Sequence, residues 1–460
     1  MKRFSNIVVL AVICLFMLVP GYAKAAGKNQ SDVAKLKKIV NEQIKKGADL
    51  SGDVVYDTNY TWDKNGNLKS IRWSERGLSG SIVIPSFTRL KSICIESNAK
   101  LKKVTIMDNK YLEELDCHGG EYGCGYRRVV KLKKLVIHGC KNLRNLSAGN
   151  NGKIELGFSA GDFKKLNKLY LGNSNLKEID LSKNQELAEL DLSENQLRRI
   201  DLSKNRKLTS LRLTVNRLAK INLSKNKKLE TIFLGDNKLK EINLKNNKSI
   251  TFLNTSNNPC RKIKFSSIKK LYALYCSNNK LEKLDLRNNT RLSHLECANG
   301  ALSGKGLVLG SKPAMEKLDC SNNGLSEIDI SGCPEIITLN CNNNKITNLD
   351  LTANSKIIDV NCSNNPLDGL NLDNKKYLYN LSCNNCGLAK LDVSMVSSLR
   401  SLDCRNNQLK ELDLTKNPEI NELHCEGNNI DKLDISQCPY LQKALVNADL
   451  EYDDGVIIKN

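Results

Sequence analysis

Apolar residues return every twenty-one positions through most of this chain. Leu166, Leu187, Leu208, Leu229, Ile250, Leu271 and Leu292 begin successive segments. Met315, Ile336, Ile357, Leu378, Leu399, Ile420 and Leu441 continue the series after a single step of twenty-three. Residues 187–207 read L-x-x-L-D-L-x-x-N-x, then L-x-x-I-D-L-x-x-N-x-x, so apolar residues fall at positions 1, 4, 6, 11, 14 and 16 and asparagine at 9 and 19. Positions 4 and 6 flank one outward residue, the period of a short strand with a single buried face. Asparagine then marks a bend, because its amide bonds nearby backbone and tolerates left-handed dihedrals. A unit this short cannot bury its apolar face alone and must stack on copies of itself. The pattern predicts a solenoid.

The half-pattern L-x-x-L-x-L-x-x-N-x-L resembles the signature segment of leucine-rich repeats. The doubled form with L-D-L in its second half resembles the nested 21-residue class of secreted bacterial proteins, which includes internalin-like cell-surface binding proteins. The resemblance covers roughly residues 68–445. It implies a mostly β solenoid, with a parallel β-sheet built from positions 3 to 7 lining one face and short second strands opposite. At a strand spacing of about 4.8 Å, about seventeen coils would extend roughly 80 Å.

The segments outside the repeat divide the rest of the chain. Lys2 and Arg3, the apolar run 7–19 and Ala23-Lys24-Ala25 form a signal-peptide pattern over residues 1–25. Its removal would take Lys2, Arg3 and Lys24 and lower the net charge from +21 to +18. Residues 26–67 are expected to form an N-terminal cap. Within it a helix over 31–46 has Ser31 as N-cap and Val33, Leu36, Ile39, Val40 and Ile44 at helical spacing. The solenoid is expected over 68–440, interrupted by an insertion at 118–131, with a C-terminal cap over 441–460.

Seventeen cysteines in an exported chain would ordinarily suggest disulfides. Their register points elsewhere. Cys276, Cys297, Cys320, Cys341, Cys362, Cys383, Cys404 and Cys425 take position 6, where earlier coils have Leu171, Leu192, Leu213 and Leu234. They read as a ladder of buried thiols replacing core leucines. Cys333 and Cys438 fall in the position-19 column, and Cys140 and Cys386 are assigned to position 9. Cys117, His118, Cys124, His138 and Cys140 gather near the insertion, but they lack a tight C-x-x-C knuckle and two are already core residues. No metal site and no cofactor are assigned.

No catalytic constellation stands apart from the repeat. The acidic column at position 15, with Asp180, Asp201, Asp285, Asp329, Asp350, Asp392, Asp413 and Asp434, recurs in coil after coil. Stacked carboxylates repel, and Arg199, Lys220, Lys283, Lys390 and Lys432 at position 13 are the expected counter-charges. The chain reads as a non-enzyme.

Two surfaces remain. The outward strand positions carry Arg212, Phe233, Phe252, Tyr272, Tyr275 and His294 within consecutive coils, although aromatics make up only 5% of the chain. Flat rings beside a guanidinium suit a protein or glycan ligand. The coils from 319 to 403 offer Asn, Asp and Ser there instead and read as a solvated spacer. The turns carry Arg198, Arg199, Arg206, Lys207, Lys227 and Lys228, a patch suited to anionic cell-wall polymer. No nucleic-acid module is present, and no membrane span is expected in the mature chain. The leading expectation is a binding protein, secreted or at the cell surface, that acts through the repeat face. The alternative is a cell-envelope structural protein held to anionic polymer by its basic turns.

Overall fold

The computed structural model describes residues 27–120, 132–444, 450–453 and 456–459. The expected signal peptide at 1–25, and most of the expected insertion with Cys124, lie outside the described residues. The chain forms two compact units, Met1–Lys207 and Leu208–Asn460.

The first unit begins with the helix Gln30–Lys45. Its N-cap is Asn29, whose side chain accepts the Asp32 N–H at 3.2 Å, so the helix starts before the expected Ser31. Val33, Leu36, Ile39 and Val40 are buried, whereas Ile44 is exposed and Gln43 takes its inward place. Polar groups then dock this helix. Buried Asp32 accepts the backbone N–H of Leu68 at 3.0 Å and of Thr88 at 3.2 Å, and Gln43 accepts that of Ser79 at 3.0 Å. The helix therefore occupies backbone donors that a preceding coil would otherwise take.

Beyond it, Leu68–Arg72 pairs in parallel with Ser92–Cys94, followed in order by Glu114–Asp116, Asn145–Ser147, Lys168–Tyr170 and Glu189–Asp191. A second parallel sheet of this unit joins Ser79–Ile84, Lys100–Met107, Lys134–His138 and Glu155–Gly157. This pairing aligns the half-coil ending at Cys140 with the one ending at Asn109, which makes Cys140 a second-half residue rather than a member of the position-9 column.

In the second unit one three-residue strand per coil pairs in parallel, from Ser210–Arg212 and Thr231–Phe233 to Ser401–Asp403 and Glu422–His424. Each register partner lies twenty-one residues on, except that His294 meets Lys317 across the longer coil. Second strands are short and intermittent, as in Glu241–Ile242 with Lys262–Ile263 and Leu284–Asp285 with Leu307–Val308. Leu450–Glu451 pairs with Glu422–His424, and Ile457–Lys459 with Lys432–Asp434. Between strands the chain turns through i→i+3 bonds such as Asn226 N to Leu223 O at 3.0 Å.

The three inward columns of the first half-coil are closed to solvent, as at Leu229, Ile232 and Leu234. Each such side chain contributes on the order of 1.5–3 kcal/mol when fully buried. The asparagine function expected of one residue is divided between two. Position 8 adopts the left-handed conformation, as in Asn257 (φ 58°), Asn278 (φ 57°) and Asn343 (φ 53°). Position 9 instead keeps its amide inside. Asn195 Nδ2 donates to Leu171 O at 2.8 Å, Leu192 O at 3.0 Å and Ser193 O at 3.0 Å, while its Oδ1 accepts Ser174 N and Leu176 N. One side chain thus satisfies backbone groups of two coils, which a buried bend requires.

Candidate binding surface

The outward positions of the second unit bring the predicted aromatics together. Arg212 and Phe233 are direct register partners, and the guanidinium carbon lies 4.2 Å from the ring centroid. From Phe233 at position 5 the contact steps diagonally to Phe252 at position 3, with centroids 4.7 Å apart, and back to Tyr275 at position 5, at 5.3 Å. Diagonal neighbours on one sheet face lie within reach of large rings. Tyr272 and His294 form a separate pair at 5.6 Å, and Tyr272 is 52% exposed. The four-residue run is half-buried by its own members, apart from exposed Arg212. Mutual packing and an outward apolar face are therefore the same feature.

The later coils differ chemically. Asn361 Oδ1 accepts the N–H of Ser363 at 3.2 Å, and Asp319 Oδ1 accepts both the N–H and the hydroxyl of Ser321 at 3.0 and 2.6 Å. Small polar side chains at position 5 are spent on the turn that follows them.

The same economy explains the acidic column. Ser182 and Ser203 donate backbone N–H groups, joined by their hydroxyls, to Asp180 and Asp201 and hold these carboxyls below the usual range. The hydroxyls of Thr352 and Ser394, joined by their N–H groups, do so for Asp350 and Asp392. Cations at position 13 are not what balances the column. Where ion pairs occur, Asp285 has Arg287 at 2.7 Å and Asp434 has Lys459 at 2.7 Å.

The basic residues divide between the units. In the first, Arg198, Arg199 and Arg206 are exposed, and Lys207 pairs with Glu186 at 2.6 Å. In the second, Lys227 and Lys228 are exposed side by side.

The thiols of the second unit lie in the core. Cys320, Cys341, Cys362, Cys383 and Cys404 have no measurable exposure. Burial pushes the Cys341 thiol up to about 12, and the other four stand well above the ordinary thiol value. All are free cysteines.

Residues 313–353 match the family described as Leucine Rich repeats (2 copies), within coils whose strands, bends and amides repeat as above. The chain carries leucine-rich repeats. Among solved structures this leucine-rich-repeat chain is similar to the functional domain of InlJ from Listeria monocytogenes, a domain described as including a cysteine ladder. That match has 29% identity and a TM-score of 0.62 over 65% of this chain, and it takes in 66% of the InlJ domain. The internalin inlF of the same organism matches at 19% identity and TM-score 0.54, over 68% of this chain and 87% of that one. YopM from Yersinia enterocolitica matches at 19% identity and TM-score 0.58, over 90% and 89%. No curated protein matches the sequence. The internalin-like repeat fold is that of a non-enzymatic family. Among the described residues no helix is long and apolar enough to cross a membrane.

One juxtaposition escaped the sequence pattern. In the first unit Cys94, Glu96, Asp116 and His118 share positions 5 and 7 of adjoining coils. The coil from Leu90 to Leu112 is one residue longer than the common period, and the insertion hides the next, so this alignment emerges only from the strand register. Of the described residues of the set weighed for zinc, Cys117 and Cys140 are buried, and His118 joins the group.

Proposed function

We propose that this leucine-rich-repeat protein is exported and acts as a binding protein. In this reading it recognises a protein or glycan through the face carrying Arg212, Phe233, Phe252, Tyr272, Tyr275 and His294. The observation that carries the reading is the unbroken run from Arg212 through Phe233 and Phe252 to Tyr275, on strands whose register fixes every side chain. Such a run supplies large contact area with little side-chain entropy left to lose, because each ring is already held by the next. The apolar centre with a cation at one end suits a patch on another protein or the face of a sugar ring. The later coils, whose polar groups are satisfied within their own turns, serve as spacer.

The test is capture from host and bacterial surface extracts, run in parallel with a glycan array, using wild-type protein, Phe233→Ala/Tyr275→Ala, and charge reversal at Arg206 and Lys207. The expected result is a partner retained at high salt and lost with the aromatic double variant. Retention that collapses in salt, where surface charges are screened, and disappears with the charge-reversed variant would transfer the function to the basic turns and anionic wall polymer.

A further inference from the structure

Positions 5 and 7 of a strand point to the same face about 6.6 Å apart, and the neighbouring strand stands about 4.8 Å away. In the first unit this small rectangle is filled by Cys94 and Glu96 on one coil and Asp116 and His118 on the next. Cys94 and Asp116 are register partners, and Ser97 N donates to His118 O at 3.0 Å, which locks the second row beside the first. We propose that these four side chains form a Zn²⁺ site with one thiolate, one imidazole and two carboxylate ligands.

The donors already converge. His118 Nδ1 lies 2.8 Å from Asp116 Oδ1 and 3.2 Å from Glu96 Oε2. The donor atoms of Cys94, Glu96 and Asp116 all lie within 4.8 Å of one another. Tetrahedral zinc with bonds of about 2.0–2.3 Å separates its donors by about 3.3–3.7 Å, so the three-residue group must tighten and the His118 ring, which now meets only the two carboxylates, must turn toward the sulfur. Sulfur, nitrogen and carboxylate oxygen together suit borderline-soft Zn²⁺ better than Ca²⁺ or Mg²⁺, which take oxygen donors. Surrounding groups orient the ligands. Ser74 Oγ lies 3.1 Å from Cys94 Sγ, and the His118 N–H donates to Asp116 Oδ1 at 3.2 Å. All four backbones belong to paired coils, so the site stands on a rigid frame.

Binding releases the Cys94 thiol proton to solvent. It also displaces the proton from His118 Nδ1, to solvent from an imidazolium or to Nε2 in a neutral ring, so the bound imidazole is neutral and protonated on Nε2. The ion then takes over the role of that proton and ties two coils together through side chains. This assignment concerns the first unit and stands independently of the aromatic face.

Co²⁺ is the probe, added to the full chain after chelation. One equivalent should give a thiolate-to-metal charge-transfer band and the visible bands of tetrahedral cobalt, both displaced by Zn²⁺. Cys94→Ser should abolish the charge-transfer band. Glu96→Gln and His118→Gln should each weaken Co²⁺ binding by about tenfold or more. Cys124→Ser should change nothing, and Zn²⁺ should raise the melting temperature of the wild type but not of Cys94→Ser. Glu96 is partly exposed, so its variant tests the site even if Cys94→Ser folds poorly. Absence of a cobalt thiolate band, its survival in Cys94→Ser, its loss in Cys124→Ser, or unchanged affinity in Glu96→Gln would overturn the assignment.

Discussion

Arg212 lies over the ring of Phe233 in the next coil, 4.2 Å from guanidinium carbon to ring centroid. The cation meets the negative face of a ring that is itself packed 4.7 Å from Phe252, a contact worth about 0.5–1 kcal/mol where exposed. Truncating central anchors of such a patch commonly costs about 2 kcal/mol or more in binding. Phe233→Ala with Tyr275→Ala is therefore expected to weaken the ligand at least about tenfold while circular dichroism stays unchanged. Alanine at Asn340 and Asn361 should leave affinity intact. Titration calorimetry of the three proteins with the captured partner decides it.

The thiol series makes a labelling prediction. Cys320, Cys341 and Cys362 are closed to solvent; burial disfavours the thiolates of Cys320 and Cys341, and the hydrogen bond with Cys386, joined by burial, disfavours that of Cys362, and the thiolate is the reactive form. Alkylation of the native protein should be slow at all three and rapid after denaturation without reductant. Rapid native labelling would contradict their burial. Labelling that stayed blocked in denaturant would mean they are oxidised.

Substitution tests the same positions energetically. Cys341→Ser places a hydroxyl among sulfur and methyl groups and should destabilise by about 1–3 kcal/mol. Cys341→Val keeps the site apolar and should cost less. Equal denaturation midpoints for the two variants would mean that position 6 does not face the core.

Val215 is the outlier of the position-8 column. Its φ is 54°, in a region where coils on either side place Glu194 and Asp236 and later coils place asparagine. A β-branched residue there is strained, and the left-handed conformation costs about 1–2 kcal/mol. Val215→Asn should stabilise the protein by about 1 kcal/mol, seen as a raised melting temperature. An unchanged or lowered value would show that Val215, 47% exposed, makes contacts that offset its backbone.

His424 gives a pH prediction. Burial lowers its affinity for a proton, but the hydrogen bonds and charges of Glu422 and Glu451, 3.1 and 2.8 Å away, outweigh it and hold the pKa above 6.5. A folded pKa above the unfolded one means that the contribution is fully present below about 6.5 and is lost as pH rises through the folded value. Denaturation midpoints should therefore fall on raising pH through that window, and His424→Gln should flatten the fall. A slope identical in the variant would assign it to other groups.

Much of the fold was legible because a strict repeat turns each residue into a vote on its column. Leu229, Ile232 and Leu234 are inward for the same reason as their equivalents in other coils, and the pairing of Phe233 with Phe252 needs only the register. What stayed hidden depended on departures from the period. Cys140 took its true column only when Lys134–His138 paired with Lys100–Met107. The helix began at Asn29 because that side chain caps Asp32, whose carboxylate then serves the first coil. The acidic column misled for another reason. Its partners are the residues two positions on, a local contact that reasoning about charge across coils overlooks.

The buried amide at position 9 gives the stack a direction. Asn195 reaches back to Leu171 O and receives Leu176 N, both in the preceding coil. A coil lost from the C-terminal side therefore removes the asparagine that serves the coil left behind, whereas loss from the N-terminal side leaves main-chain donors such as Ala188 N, which bonds Asn167 O at 2.8 Å, without their acceptors. The series must be stopped at its trailing end. There the carboxylate of Asp453 receives the N–H of Gly427 at 2.8 Å and of Asn428 at 3.3 Å, standing in for the next asparagine. Fraying and proteolytic entry from that side are thus opposed by this acid together with the closing strands Leu450–Glu451 and Ile457–Lys459.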